Sequence, residues 1–174
     1  MSGDDPAGER YEVAPLQDNH DRTTFTCGIH DLDDYFRNQA GQDARRNVAS
    51  VFVAVERADG VVHGFYTVSM ASVLLDRLPI DVARRMPRYP TVPAVRLGRL
   101  AVHVDACGRG LGQHLLMDAM ARSLRAEIAW TAFLVEAKDG EAKRFYVQYG
   151  FQAFEDDALH LYLMRKTIEP LFGA

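Results

Sequence analysis

Apolar residues alternate with polar ones along several short stretches of the chain and recur at helical spacing along others. Tyr11 to Leu16, Val48 to Glu56 and Val61 to Ser69 read as strands, and Asp59-Gly60 between the last two is a hairpin signal. Leu32, Tyr35, Phe36 and Gln39 lie at helical spacing, so a helix is expected over Asp31 to Gln42, with Asp31 as cap. A short helix is expected over Ile80 to Met86, followed by an extended loop enforced by Pro87, Pro90 and Pro93. Val95 to Val104 alternates toward a strand. Behind a glycine-rich turn, Leu111, Leu115, Ala119, Met120 and Leu124 mark an amphipathic helix. Ile128 to Glu136 reads as a buried strand, and Asp139 caps a helix running to about Tyr149, with Gly150 just past its end. Phe151 to Phe154 and Leu159 to Met164 close the chain as a hairpin around Glu155-Asp156-Asp157. Hairpins first and strand–helix–strand–helix afterwards imply an α/β (α+β) sheet with a βαβ crossover in its second half.

Composition narrows this picture. A chain of 174 residues with 48% hydrophobic and 25% charged residues is expected to form one domain, from Tyr11 to the end, behind a disordered lead-in at residues 1–10. Two cysteines, Cys27 and Cys107, are too few for a disulfide framework or a metal-ligand set, and they suit a reducing compartment. The first residues are acidic where a secretory signal is basic, and no apolar run approaches the ~20 residues of a membrane span. A cytoplasmic protein without membrane contact is expected.

The net charge of −4 is uneven. Residues 1–34 hold nine acids and two bases, whereas Arg77 to Arg125 holds nine arginines and three acids. Net charge therefore excludes no nucleic-acid partner. Seventeen of the 20 basic residues are arginine, with Arg45 and Arg46 in one cluster and Arg84, Arg85 and Arg88 in another. Arginine holds phosphate bidentately and stacks on bases, which suits RNA, although a compositional bias would give the same count.

Gly108, Gly110 and Gly112 stand between a strand and an amphipathic helix. Glycine there lets backbone approach a ligand, and the N–H groups of a helix N-terminus attract phosphate. A P-loop is excluded because Gln113 and His114 follow Gly112. The spacing G-x-G-x-G also departs from the dinucleotide fingerprint G-x-G-x-x-G. The competing reading is a plain strand-to-helix turn that binds nothing. No pair among the six histidines has metal-ligand spacing with a carboxylate or thiol, so no metal is expected.

Three blocks together resemble the GNAT-fold acyl-CoA N-acetyltransferases: Leu97-Gly98-Arg99-Leu100-Ala101-Val102, the Gly108 to Gly112 turn, and Ala142 through Phe145-Tyr146 to Gly150-Phe151. The resemblance covers about residues 48–165. It implies a mixed, mostly antiparallel sheet with flanking helices and a central βαβ unit that binds acetyl-CoA. It also implies that Gly108, Arg109, Gly110, Leu111, Gly112 and Gln113 hold the pyrophosphate, that Leu100, Ala101 and Val102 accompany the pantetheine arm, and that Asp139 contributes to the cofactor site. Tyr146 becomes the general acid that protonates the leaving thiolate; read without the family, it is one more aromatic on a helix face. Two departures are visible, since Cys107 opens the turn where the family usually has Gln or Arg, and Asp139 stands where many members have Asn.

Phe25-x-Cys27-Gly28, Leu32-Asp33, Leu78-Pro79 and Tyr89-Pro90 add a narrower likeness to the toxin branch of that family. It implies an aminoacyl-tRNA substrate, a ribbon-helix-helix antitoxin and a homodimer. An acetyltransferase for small amines, antibiotics or protein amino groups, and a non-catalytic acyl-CoA-binding module, are the other readings. No general base stands out. An α-amino group titrating near ~7.7–8.0 needs one less than a lysine does, and Glu136 is the carboxylate to test for that role.

Overall fold

The computed structural model describes residues 5–173. In chain order its elements are α1 (Pro6–Arg10), β1 (Tyr11–Pro15), α2 (His30–Asp34), a π-helical turn (Tyr35–Gln39), α3 (Ala40–Arg45), β2 (Ser50–Glu56) and β3 (Val62–Leu74). There follow α4 (Ile80–Ala83), β4 (Thr91–Val102), α5 (Leu111–Arg125), β5 (Ala132–Glu136), α6 (Gly140–Val147), β6 (Gln152–Phe154), β7 (Asp157–Met164) and α7 (Arg165–Ile168). The sheet is seven-stranded in the order β1-β2-β3-β4-β5-β7-β6. β1 with β2, β2 with β3, β5 with β7 and β6 with β7 are antiparallel, whereas β4 and β5 are parallel across the α5 crossover. Among the described residues no helix is long and apolar enough to cross a membrane.

The expected lead-in is corrected in part. Pro6–Arg10 is helical, with the Asp5 carboxylate accepting from the Gly8 N–H at 3.1 Å and Ala7 buried. Pro at the first helical position and an Asp cap are local signals for such a turn. Residues 1–4 of that expectation lie outside the described residues.

Two compact units are distinguished, one formed by the chain up to Ser69 with Gly98–Ala119, the other by Met70–Leu97 with Met120 onward. In the first, Phe25, Phe36 and Phe65 anchor the core, the last two stacked 4.2 Å apart. The helical run over residues 30–45 is longer than expected and contains the π turn. The extra residue in that turn carries Ala40 into the core and leaves Gln39 outside, so the 3.6 period fails at this point.

In the second unit, Val73, Val92, Ala94, Ala132, Leu134, Phe154 and Tyr162 form the core. Pro93, expected in a loop, lies inside β4. It has no N–H to offer the ladder and stands near the start of the strand, ahead of Ala94 where the pairing with β5 begins, and its carbonyl accepts from the Thr131 N–H at 2.9 Å. β5 begins at Ala132, later than expected, because Trp130 is turned inward to donate its indole N–H to the Ser123 carbonyl. The closing hairpin is as the sequence suggests, and α7 after it was not foreseen.

Candidate functional site

Chemistry-bearing residues of the first unit gather where β4 gives way to α5. Leu100, Ala101 and Val102 end the strand, and the His103 N–H then donates to the His63 carbonyl at 2.8 Å. A 3-10 turn over Val104–Ala106 follows. His103 caps it, its Nδ1 accepting from the Asp105 N–H at 3.1 Å.

Cys107, Gly108, Arg109 and Gly110 are exposed, and Gly108 and Gly110 have φ of +76° and +78°. These left-handed conformations are the reason for glycine here. A Cβ at either position would meet nothing within 4 Å, so backbone faces open space. The first i→i−4 bond runs from the His114 N–H to the Gly110 carbonyl, so the N–H groups of Leu111, Gly112 and Gln113 lie ahead of it. Leu111, Leu115, Ala119 and Met120 are buried and seat α5. A backbone turn of this shape, opening on a 15-residue helix and carrying Arg109, is built to receive an anion such as a diphosphate.

Upstream on β4, the Arg99 guanidinium lies 3.5 Å over the Tyr35 ring, and the Tyr35 hydroxyl donates to the Asp43 carboxylate at 2.8 Å. Burial pushes the Tyr35 phenol up to about 12, helped by the bond to Asp43. This set escaped the sequence reading, because the π turn that presents Tyr35 has no sequence signature. Arg45 and Arg46 close α3 and are exposed.

Asp33, quoted in the sequence only as part of the toxin-branch likeness, is a buried carboxylate. It is 6% exposed and accepts from the Cys27 N–H at 2.7 Å and the Thr26 hydroxyl at 2.8 Å. Burial alone would raise its pKa, but those bonds and the Arg37 charge overcome that and hold it below the ordinary value. Burial pushes the neighbouring Cys27 thiol up to about 11, with Asp33 adding to the effect, so Cys27 is no nucleophile at neutral pH.

In the second unit, Tyr146 lies on α6 and is 7% exposed, its ring 5.2 Å from Phe145 and 5.6 Å from Phe151. Burial pushes its phenol up to about 12, so it keeps its proton at neutral pH. Asp139 caps α6, its carboxylate accepting from the Ala142 N–H at 2.8 Å; that bond, ahead of the Lys138 charge, lowers its pKa. A local structural task is thus visible for Asp139. Gly150, at φ +95°, ends the helix as expected.

Glu136 is exposed at the end of β5, opposite His160 of β7. Burial and the Arg77 charge hold His160 below its ordinary pKa, against the pull of Glu136. Arg84, Arg85 and Arg88 are exposed after α4. Among the described residues no group of three metal-ligating side chains occurs.

A family profile described as an acetyltransferase (GNAT) domain matches residues 47–153. A tRNA-acetylating toxin of Mycobacterium tuberculosis is 40% identical over 160 residues, which is 91% of this chain and 94% of that one. Among solved structures, AtaT complexed with acetyl-methionyl-tRNA superposes with a TM-score of 0.85 at 26% identity, covering 93% of this chain and 99% of that one. AtaTR bound with acetyl-CoA superposes with a TM-score of 0.77 at 26% identity, covering 94% and 99%.

Proposed function

The chain belongs to the GNAT acetyltransferase family, and on that premise we propose that it is a toxin that moves the acetyl group of acetyl-CoA onto the amino group of aminoacyl-tRNA, which blocks translation. The observation that carries the donor is the Gly108–Gly112 turn, whose positive-φ glycines open directly on the N-terminus of α5. Those residues fit a diphosphate. The acceptor is supported by the 40% identity to a tRNA-acetylating toxin across nearly the whole chain.

Acetyl-CoA supplies an activated acetyl group as a thioester. Gly108, Arg109, Gly110, Leu111, Gly112 and Gln113 would hold its diphosphate through backbone N–H groups and the Arg109 charge, and Asp139 is assigned to the donor on the family likeness alone. Leu100, Ala101 and Val102 orient the pantetheine arm, and backbone N–H groups beyond Leu100 polarise the carbonyl. Tyr146, whose raised pKa keeps the proton on Oη at neutral pH, would yield it to the departing sulfur, and the phenolate left behind would be reprotonated by the proton that the acceptor nitrogen releases as the amide forms. The acceptor α-amine, near ~7.7–8.0, loses one proton to solvent before it attacks, so no base of the chain is needed for that step, and the second proton leaves the nitrogen as the amide forms. Arg45, Arg46, Arg84, Arg85 and Arg88 are assigned to RNA phosphates.

A cytoplasmic setting follows from the substrate, and the toxin reading brings with it a ribbon-helix-helix antitoxin and a homodimer. No metal takes part in this scheme. Incubating charged and uncharged tRNA with labelled acetyl-CoA tests it. Label must enter charged tRNA only, and the Tyr146→Phe chain must label it far more slowly. Labelling of a polyamine or peptide with charged tRNA untouched would replace this reading by that of a small-amine or protein acetyltransferase.

A further inference from the structure

The loop over residues 25–28 is gripped from two sides, and the grip leads to the anion-binding turn. On one side stands the helical run over residues 30–45. Asp33 receives the Cys27 N–H and the Thr26 hydroxyl, and the same hydroxyl accepts from the Gly28 N–H at 3.3 Å. Arg37, one helical turn on, donates through Nη2 and Nε to the Phe25 carbonyl at 2.9 and 3.2 Å. On the other side stands the 3-10 turn. The Thr26 carbonyl accepts from the Val104 N–H at 3.0 Å, and the Phe25 ring meets His103 edge-on with centroids 5.7 Å apart. Gly28 has φ of +83°, and a Cβ there would lie 3.7 Å from the Val104 side chain.

Downstream, Ala106 is buried, Cys107 to Gly110 are exposed, and Leu111 is buried again. The four exposed residues have little packing of their own. Their course is set by the anchors at either end, and glycine loses more entropy on ordering than any other residue. The upstream anchor is the Val104–Ala106 turn, which the 25–28 loop holds and Asp33 holds in its turn.

We propose that Asp33 is a positioning residue for the donor's diphosphate: by fixing Thr26 and Cys27 it fixes the Val104–Ala106 turn, and so aims the Gly108–Gly112 backbone. This rests on the reading of that turn as the acetyl-CoA site. A carboxylate suits the task because a buried charge accepting two hydrogen bonds is strongly directional. The motifs Phe25-x-Cys27-Gly28 and Leu32-Asp33, which no catalytic step uses, thereby acquire a role at the donor site.

The test compares two donors, acetyl-CoA and S-acetylpantetheine, which lacks the diphosphate. Full-length Asp33→Ala, Asp33→Asn and Thr26→Val chains are assayed with charged tRNA, alongside CoA binding by calorimetry. Asp33→Ala is expected to raise KM for acetyl-CoA about tenfold with kcat nearly unchanged, since small misplacements of a binding element are costly. Thr26→Val, which removes one hydroxyl, should raise it about threefold, and Asp33→Asn, which keeps the shape and one acceptor oxygen but loses the charge and the second acceptor, should fall between wild type and Asp33→Ala. Activity with S-acetylpantetheine should not move. Equal losses with both donors, or CoA affinity unchanged in the variants, overturn the positioning role. Should Asp33→Ala fail to fold, Thr26→Val carries the comparison by itself. A wild-type chain that binds no CoA overturns the donor-site reading and this inference with it, whereas wild-type binding matched by every variant overturns this inference alone.

Discussion

Tyr146 is a phenol nearly closed off from solvent, held between Phe145 and Phe151 with its pKa raised to about 12. Removing only the hydroxyl leaves both ring contacts in place. Tyr146→Phe is therefore expected to lower kcat by about 10²–10⁴, the range for a general acid, with KM for both substrates and the melting temperature nearly unchanged. A loss of less than tenfold in a steady-state assay would remove Tyr146 from the mechanism. The same shift has a second consequence. Both Tyr146 and Tyr35 are raised from about 10 in the unfolded chain to about 12, so between those values the native state holds protons that the unfolded state has lost. The stability they contribute is whole below pH 10 and is lost as pH rises toward 12. Urea midpoints should hold to pH 9 and fall by pH 11, and the fall should be smaller in Tyr146→Phe. At the acidic end, rate should climb from pH 6 to 8 with the neutral fraction of the acceptor amine.

At the scale of elements, strands and crossover were legible because alternation and the helical apolar stripe report burial directly. Leu111, Leu115, Ala119 and Met120 are all buried, as the spacing of α5 requires. The π turn was not legible, since one inserted residue swaps Gln39 for Ala40 without leaving a mark in composition. Glycines show the same division. Gly108 and Gly110 announce themselves by their spacing, but Gly64 on β3 does not. A Cβ at Gly64 would stand 2.8 Å from the Leu115 Cδ1 and 3.2 Å from the Ala101 carbonyl oxygen, so this glycine is what lets α5 seat on its strand. Gly64→Val is expected to cost about 1–3 kcal/mol as overpacking, read from the urea midpoint. Gly110→Ala meets open space, so its cost is backbone strain alone, about 1–2 kcal/mol. KM for acetyl-CoA should rise in Gly110→Ala, and in Gly64→Val kcat should follow the folded fraction. The Asp33 brace was hidden for another reason: its partners lie on a loop whose meeting with Val104 is a tertiary event that no local pattern encodes.

For the whole molecule the uneven charge acquires a physical meaning. Several of the acids that make residues 1–34 so negative have local tasks. Asp5 caps α1 and lies 2.7 Å from His114, Asp21 accepts from Thr23, Asp33 braces its loop and Asp34 accepts from Asn38. The arginines assigned to RNA are exposed, yet Arg45 also stands in the last turn of α3, where a cation is favourable to the helix dipole, and Asp43 feels the Arg46 charge. Salt dependence separates the two roles. Removing one arginine–phosphate pair should flatten the plot of log(kcat/KM) for charged tRNA against log[salt] by about 0.7–0.9. At saturating acetyl-CoA, Arg45→Ala with Arg46→Ala should flatten it by about 1.4–1.8, and the Arg84, Arg85 and Arg88 triple by about 2.1–2.7, with donor KM unchanged. A slope equal to that of the wild type would leave that cluster a solvated or helix-capping surface. A fall in stability at constant slope would give Arg45 to the helix alone. The two clusters are scored independently, so RNA binding assigned to one does not extend to the other by charge alone.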